Sequence, residues 1–439
     1  MRAMHKLLGM AFAAVAATAI TPTQAQELYV PLLTYRTGPF GASGIPLANG
    51  MHDYLTMLNE RDGGIGGMKV NVEECETGYD TNKGVECYEA VKSKRPLVIN
   101  PYSTGTTLQL IPKAGVDKIP ILSMGYGLSA SAVGTYFPWI FNPPATYWDA
   151  MSIVFKYIGA KEGGLDKLKD KTIGFIFLEG GFGREPIPML EQFAKDYGFQ
   201  IKTYPVTVQD MQNQSAQWLS VRRDRPAWMI MWSFGAMTPT AIKEAARIGF
   251  PVDHLIGPWY AGGEDDARPA GEGGKGYLSL NFNAVGANYP AIADIVKYVI
   301  DKGKGQTAKE KAGENLYNRG VYNSVVIAEA VRNAQKLTGK KVVSGEDVRR
   351  GLETLDITAA RWKELGLAEF GAPLKVTCAD HNGHHIAFVH QWDGAKWVKA
   401  SDWIEPMRDR VLPMLDAAAK DYVSKDPAWP KRTEVCDRG

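Results

Sequence analysis

Apolar residues along the chain form two alternating patterns: short unbroken runs, and longer stretches spaced three and four apart. Residues 28–34 (Leu-Tyr-Val-Pro-Leu-Leu-Thr) are such a run and read as a first strand. Over 45–61, Leu47, Met51, Tyr54, Leu55 and Leu58 fall at helical spacing, and the glycine-rich segment 62–67 stops that helix. A second strand is predicted over 68–74, and a helix from the Asp80 cap to about residue 93. Leu97, Val98 and Ile99 end a third, buried strand, and 120–124 make a fourth that runs into Gly125-Tyr-Gly127. Strand and helix alternate throughout, which argues for a parallel sheet covered on both faces.

The pattern restarts after the proline-rich segment 141–146. Strands are predicted at 171–178, 200–206, 228–232 and 254–260. Helices are predicted at 146–158, from 185 to about 197, at 215–223 and at 237–248. A return segment at 276–281 precedes helices near 290–302, 317–337 and 344–355. The tail differs: residues 385–392 and 396–398 flank Asp393-Gly394, a strong hairpin signal. The chain thus reads as two α/β lobes of similar size with a cleft between them. Ligands of such sheets bind beyond the carboxyl ends of the strands. The turns around Ser43, Thr104, Phe182 and Phe234 would then face one another, with Gly125-Tyr126 and Trp259-Tyr260 alongside.

Within that cleft the stretch Tyr102-Ser-Thr-Gly-Thr-Thr107 carries the most chemistry. Hydroxyls and a glycine at a strand-to-helix turn bring together unpaired amides, O–H donors and the positive end of a helix dipole, which makes an anion site. The competing reading is that Ser103 or Thr104 simply caps the helix. Arg36, Arg184 and Arg319 could pair a carboxylate, Arg184 best placed of the three and Arg36 the most readily explained as a surface residue.

Composition narrows the class. The 439 residues, 45% hydrophobic and 22% charged, describe a globular chain of two or three domains. Residues 1–25 have a basic start (Arg2, Lys6), an apolar run too short for a membrane span, and Thr23-Gln-Ala25, the pattern of a signal peptide cut after Ala25. Arg2 and Lys6 are the leader's only basic groups and it has no acid, so 48 basic side chains balance 48 acidic ones in the remainder. Such a balance gives no field for nucleic acid. Four cysteines in an oxidising compartment imply two bridges. Cys75–Cys87 and Cys378–Cys436 are the expected pairs among three possible pairings. His381, His384, His385 and His390 do not match zinc spacings and read as a surface loop, with His385 and His390 on opposite faces of one strand; no metal or cofactor is expected. The glycine runs 63–67 and 180–183 fit neither a dinucleotide nor a P-loop fingerprint, and no Gly-x-Ser-x-Gly elbow occurs, so an enzyme is not expected.

Several motifs in order resemble one family. They are Thr37-Gly-Pro39, Leu58-Asn-Glu-Arg-Asp-Gly-Gly-Ile-Gly-Gly67, Val98-Ile-Asn-Pro-Tyr-Ser-Thr-Gly-Thr-Thr107, Gly180-Gly-Phe-Gly183 and Ile256-Gly-Pro258. Together they resemble the type I periplasmic solute-binding proteins of ABC importers, the branched-chain amino-acid (Leu/Ile/Val) family. The resemblance implies two doubly wound Rossmann-like lobes on a hinge crossing near 141–145, 279–285 and 368–376. Lobe 1 would be 26–143 plus 283–368, and lobe 2 would be 144–282 plus 369–439. It implies that Ser103, Thr104 and the backbone of Gly125 and Tyr126 hold a ligand carboxylate, with Tyr102 beside them, and that Phe182 and Phe234 pack on its body. Ser43 falls where some members have a tyrosine. Members binding amino acids commonly carry an acid after Gly-Pro to meet the ammonium; here Trp259 stands there, with Glu264 and Asp265 a few residues on. An unpaired buried ammonium is costly, so Trp259 points to a carboxylate ligand without one, aromatic or apolar in body. The tail motif Cys378-Ala-Asp-His-Asn-Gly383 with Gln391-Trp-Asp-Gly394 resembles members for small aromatic acids. The expected partners are the ligand and a membrane permease, with the protein a periplasmic monomer. The alternatives are an aliphatic or branched-chain amino-acid receptor, and a ligand sensor for a signalling partner.

Overall fold

The computed structural model of the protein describes residues 27–430, 432 and 434–436, so the leader and its cleavage point lie outside the described residues. The first lobe opens with β1 (Leu28–Thr34), α1 (Gly41–Asp62), β2 (Val70–Glu76), α2 (Thr81–Lys92), α3 (Thr104–Asp117), β3 (Ile121–Leu122) and β4 (Ile140–Phe141). β1 pairs with β2, Leu32 bridges Asn100, Ile99 bridges Ile121, and β3 pairs with β4, all parallel. Residues 97–100 are therefore the middle of a five-strand parallel layer, in spatial order second, first, third, fourth, fifth. β1 is buried at every position, as a strand covered by helices on both faces must be.

The second lobe repeats the plan with α4 (Tyr147–Glu162), β5 (Thr172–Leu178), α5 (Gly181–Arg184), α6 (Ile187–Tyr197), β6 (Gln200–Val206), α7 (Ser215–Asp224), β7 (Trp228–Trp232), α8 (Met237–Arg247), β8 (Leu255–Gly257), α9 (Glu264–Ala267) and β9 (Leu278–Asn281). The order β6-β5-β7-β8-β9 is parallel and again runs second, first, third, fourth, fifth. The chain then returns to lobe 1 through α10 (Pro290–Tyr298), α11 (Asn315–Thr338), α12 (Gly345–Glu353), β10 (Asp356–Ile357), α13 (Ala359–Glu364) and β11 (Leu374–Lys375). α11 packs along α1, where Gly50 and Gly320 allow close approach: a Cβ on either would meet backbone of the other helix within 2.2 Å. The hairpin β12 (Phe388–Trp392) and β13 (Trp397–Lys399) joins the second sheet antiparallel to β9, and α14 (Arg408–Ser424) follows.

Several boundaries differ from expectation for local reasons. α1 begins at Gly41, four residues early, directly after the 3-10 turn 38–40, and it carries Pro46 inside its second turn, where the Ala42 carbonyl goes without its intrahelical donor. β12 starts at Phe388, so His385 lies outside the strand. The expected surface histidine loop is instead buried: His381 and His390 are at most 1% exposed. The third crossing departs from 368–376: Val376 N–H bonds to Leu355 O and His381 N–H to Ala132 O, both beside the first sheet's elements, and at Ala387 the chain reaches the second sheet's surroundings. That crossing is at 382–387, so residues 369–381 belong with lobe 1 and not lobe 2. Both expected disulfides, Cys75–Cys87 and Cys378–Cys436, are present. Among the described residues, no helix is long and apolar enough to cross a membrane, and no cluster of three metal-ligating side chains occurs.

Candidate functional site: the interlobe cleft

The strand ends of the two sheets face each other, and the lobes are shut. Gly235 N–H donates to Ser43 Oγ (3.0 Å), Ala236 N–H to Pro39 O (2.9 Å), Tyr260 Oη to Met124 O (2.6 Å) and Ser129 N–H to Glu185 Oε1 (2.7 Å). The Tyr126 and Tyr260 rings stack across the cleft at 4.0 Å. Ser43 is thus a latch between lobes, its oxygen engaged by the second lobe's backbone.

At the first-lobe side, Ser103 is the N-cap of α3, accepting from Thr106 N–H at 3.2 Å. The capping reading is therefore correct for its oxygen, yet the Ser103 proton stays free to be donated. Beside it stand the Thr104 amide and a residue the sequence pattern did not single out, Tyr79. Tyr79 occupies a left-handed turn (φ 65°) after β2, and its ring is wedged among Tyr35, Phe40 and Phe234 at 4.6–5.1 Å. Its buried hydroxyl lies beside Ser103 and Thr104 without a hydrogen bond of ordinary geometry, and burial pushes its pKa far up, so it is a donor. Thr104 Oγ1 contacts Tyr147 Oη at 3.1 Å and accepts from Gly127 N–H at 3.2 Å. Gly125 departs from expectation: its amide donates to Asn142 Oδ1 at 2.7 Å and Tyr126's to Ser123 O, so neither is free for a carboxylate. Tyr102 likewise turns toward Asn323 of α11, inside lobe 1.

The second lobe contributes rings. Phe182 meets Tyr147, Trp232 and Phe234 at 5.2–6.4 Å, and Phe234 stacks on Phe40 at 4.6 Å. Trp259 is fully buried, roughly parallel to Tyr147 at 6.1 Å. Its indole ring packs on the Gly125 turn, where a Cβ would come within 3.1 Å of Nε1, and the N–H lies beside Tyr260 without a hydrogen bond of ordinary geometry. Arg184 does not face the cleft; it is 60% exposed and paired with Glu179, because α5 turns it outward. Arg36 is paired with Glu74.

Electrostatically the cleft holds donors, the cation Arg319 and the buried carboxyl of Glu185, whose pKa burial raises to about 7. Arg319 of α11 is buried, donates to Asn281 Oδ1 at 2.6 Å and to Asn283 Oδ1, and lies 3.7 Å from the Phe282 ring. Burial lowers its pKa to about 10, which still leaves it charged at neutral pH. The neighbouring acids are engaged elsewhere. Glu264 accepts from Asn315 N–H, and burial raises its pKa to about 8, so it is mostly neutral at pH 7. Asp265 pairs with Arg268 and Lys311, and Asp266 accepts from Gly263 N–H to close the first turn of α9.

A two-lobed sheet pair, closed through hydrogen bonds from strand-end loops around donors and rings, defines a clamshell binding protein. The comparisons place it: residues 27–396 match the model of the periplasmic binding protein family, and the chain belongs to that family. A solved structure from the Pseudomonas fluorescens group, described as an ABC transporter permease, is 38% identical over 93% of this chain and 99% of its own, with a TM-score of 0.84. A branched-chain amino acid ABC transporter protein from Thermus thermophilus with bound valine is 20% identical (88% and 98% covered, TM-score 0.74). A solute-binding protein from R. palustris in complex with benzoate is 16% identical (87% and 97%, TM-score 0.67). Comparison with curated protein sequences found no match. The protein is the substrate-binding component of an ABC transporter, a binding protein and not an enzyme.

Proposed function

We propose that the cleft closes on a small carboxylate that has no ammonium group and an apolar or aromatic body, and delivers it to a membrane permease. The observation that carries this reading is the sign of the cleft's polar groups. Tyr79 Oη, Ser103 Oγ, the Thr104 amide and Trp259 Nε1 are donors, Arg319 adds positive charge behind them, and Glu264, Asp265 and Asp266 are each bound elsewhere. Donors meet a carboxylate well; the acid left to meet an ammonium is Glu185, which accepts from Ser129 N–H and whose pKa burial raises to about 7. The rings of Phe182, Phe234 and Trp259 supply the apolar wall that small-molecule sites need. Valine and benzoate are both ligands of proteins with this fold, and the donor-rich cleft resembles what benzoate needs. In this reading the chain works as a periplasmic monomer, its leader removed after Ala25.

A thermal-shift screen tests it, with one pool of aliphatic amino acids and one of amino-free aromatic and short-chain carboxylates. A ligand well above its dissociation constant raises the melting temperature by linkage. The second pool is expected to stabilise the protein. Stabilisation by the amino acids alone would overturn the ligand class.

A further inference from the structure

A roomy cavity near the lobe junction lies outside the cleft. It lies at the hinge, has a volume of about 810 Å3, and takes walls from both lobes. Lobe 1 gives Trp362, Ala368 and the turn 371–373; lobe 2 gives Phe388, Trp397 and Trp403. A row of rings, Trp259 to Phe282 (5.5 Å), Phe282 to Tyr322 (5.4 Å) and Tyr322 to Trp362 (5.3 Å), separates it from the cleft. Its volume falls within the usual range for small-molecule sites, and the rings of Phe388, Trp397 and Trp403 line it, with the fully buried Trp362 behind them. Trp397 stacks on His390 at 3.9 Å, and Phe388 meets Trp403 at 5.0 Å, so the lobe 2 wall is a fixed aromatic surface.

Two lysines from opposite lobes face this cavity: Lys363 from α13 and Lys399 from β13. Lys399 reaches over the Phe388 ring (5.8 Å) and lies 3.4 Å from the exposed Asp402; Glu369 is the one acid in the lining. His390 also lines it, and burial holds its ring neutral, so it offsets nothing. The hinge thus brings Lys363 and Lys399 to one aromatic space, with Glu369 in the lining and the solvent-exposed Asp402 paired to Lys399. A monoanion seated there would take the place of the exposed Asp402 on Lys399, reach Lys363 and hold both lobes at once.

We propose that this cavity is a second ligand site, separate from the cleft, that takes a small aromatic monocarboxylate: its ring lies against Phe388, Trp397 and Trp403, and its carboxylate bridges Lys363 and Lys399. Because each lobe supplies one lysine, the occupant favours the closed arrangement, and by reciprocity closure on cargo strengthens its binding.

The experiment titrates the purified full chain with 2-naphthoate, followed by tryptophan fluorescence and calorimetry. Two variants address the site: Ala368→Trp fills it from an exposed wall position, and the double variant Lys363→Glu/Lys399→Glu reverses its charge. Thr104→Val, in the cleft, separates the two sites. Melting curves of each unliganded variant check the fold. Saturable binding that both hinge variants weaken at least tenfold and Thr104→Val leaves within twofold is the expected result. No saturable binding at millimolar 2-naphthoate, binding that both hinge variants leave within twofold, or binding lost only in Thr104→Val would overturn it.

Discussion

Two single atoms, Tyr79 Oη and Trp259 Nε1, separate this cleft from one built for amino acids. Both are buried donors without a hydrogen bond of ordinary geometry, as are Trp232 Nε1 and Tyr102 Oη, and each such group forgoes about 1–3 kcal/mol of hydrogen bonding. A ligand oxygen would repay that deficit, so the conservative variants Tyr79→Phe and Trp259→Phe discriminate between a structural and a binding role. Each should leave the unliganded melting temperature nearly unchanged. Each should weaken carboxylate binding roughly tenfold to a hundredfold, the worth of a hydrogen bond to a charged group. Calorimetry on the ligand found in the thermal screen reads both numbers, and unchanged affinity in both variants would remove these residues from the site. Trp259 was legible in the sequence because it stands after Gly257-Pro258, where an acid is common. Tyr79 was not, because its place in the cleft comes from a left-handed turn after β2, and tyrosine in a Thr-Gly-Tyr-Asp turn carries no pattern that says where its ring goes. Ser103 was readable either as cap or as ligand donor, and its geometry allows both, since capping uses the oxygen and leaves the proton.

At the scale of elements, the loops joining the lobes hold titratable groups whose neighbours come from distant parts of the chain. Asp149 in the first turn of α4 completes a capping box with Thr146 and also meets His385 and Arg408 at the third crossing. Burial disfavours its charge, but His385 and Arg408 outweigh burial and bring its pKa down to about 2. For His385, burial is likewise outweighed by Asp380 (2.9 Å) and Asp149, and the pKa rises to about 9. The pair therefore stabilises the fold in a defined window. The His385 contribution is complete below its ordinary pKa of about 6.5 and is lost as pH rises through 9. The Asp149 contribution is present above its ordinary pKa near 4 and is lost as pH falls toward 2. Urea unfolding of wild type should show stability dropping between pH 7 and 10, and His385→Asn should be less stable at pH 7 with that slope reduced; an identical slope would refute the assignment. A second such group is Glu185, just after α5, whose carboxylate meets Ser129 N–H across the cleft. Burial raises its pKa to about 7, with Asp149 adding to the effect and the Ser129 contacts opposing it. If opening the lobes returns Glu185 to solvent and a pKa near 4.5, closure takes up a proton between those values. Closed-form binding then weakens as pH rises from 4.5 through 7 and levels off above. Ligand affinity should be up to about tenfold tighter at pH 6 than at pH 8, and Glu185→Gln should flatten the profile. Apart from Asp380, five residues before His385, these partners are distant in sequence, which is why the histidines read as a surface loop and the third crossing was placed too early.

Across the whole molecule, the two lobes were readable because burying parallel strands on both faces forces continuous apolar runs, and 28–34, 171–178 and 228–232 carry them plainly. What the run pattern could not say is how the chain ends, because a C-terminal helix packs through scattered side chains. The tail leaves the second sheet at Lys399, and α14 then lies against both α4 of lobe 2 and residues 129–132 of lobe 1. Tyr422 near its end and Trp429 beyond it pack on Phe137 at 5.3 and 5.4 Å, Trp429 Nε1 donates to Tyr136 O, and Arg432 Nε donates to Gly134 O, all on lobe 1. Cys436 is finally bonded to Cys378, also on the lobe 1 side of the third crossing. A segment that starts in lobe 2 is thus fastened covalently to lobe 1, and it acts as a fourth connection beside the three hinge strands. Hinge motion is absorbed by a few residues at each crossing, and every added connection narrows the angles that suit all of them. The bridge spans 58 positions of sequence, and closing a loop of that length stabilises a fold by about 2–4 kcal/mol. In Cys378→Ser/Cys436→Ser the midpoint of denaturant unfolding should fall accordingly. The sharper readout is shape: small-angle X-ray scattering of the ligand-free variant should give a larger radius of gyration than wild type, and ligand should bring the two together. Cys75→Ser/Cys87→Ser, which releases only β2 from α2 within one lobe, should lose stability without the change in shape. Equal radii in the ligand-free wild type and the Cys378/Cys436 variant would mean that the tail clings to lobe 1 through its packing alone, or that it does not restrain the hinge at all.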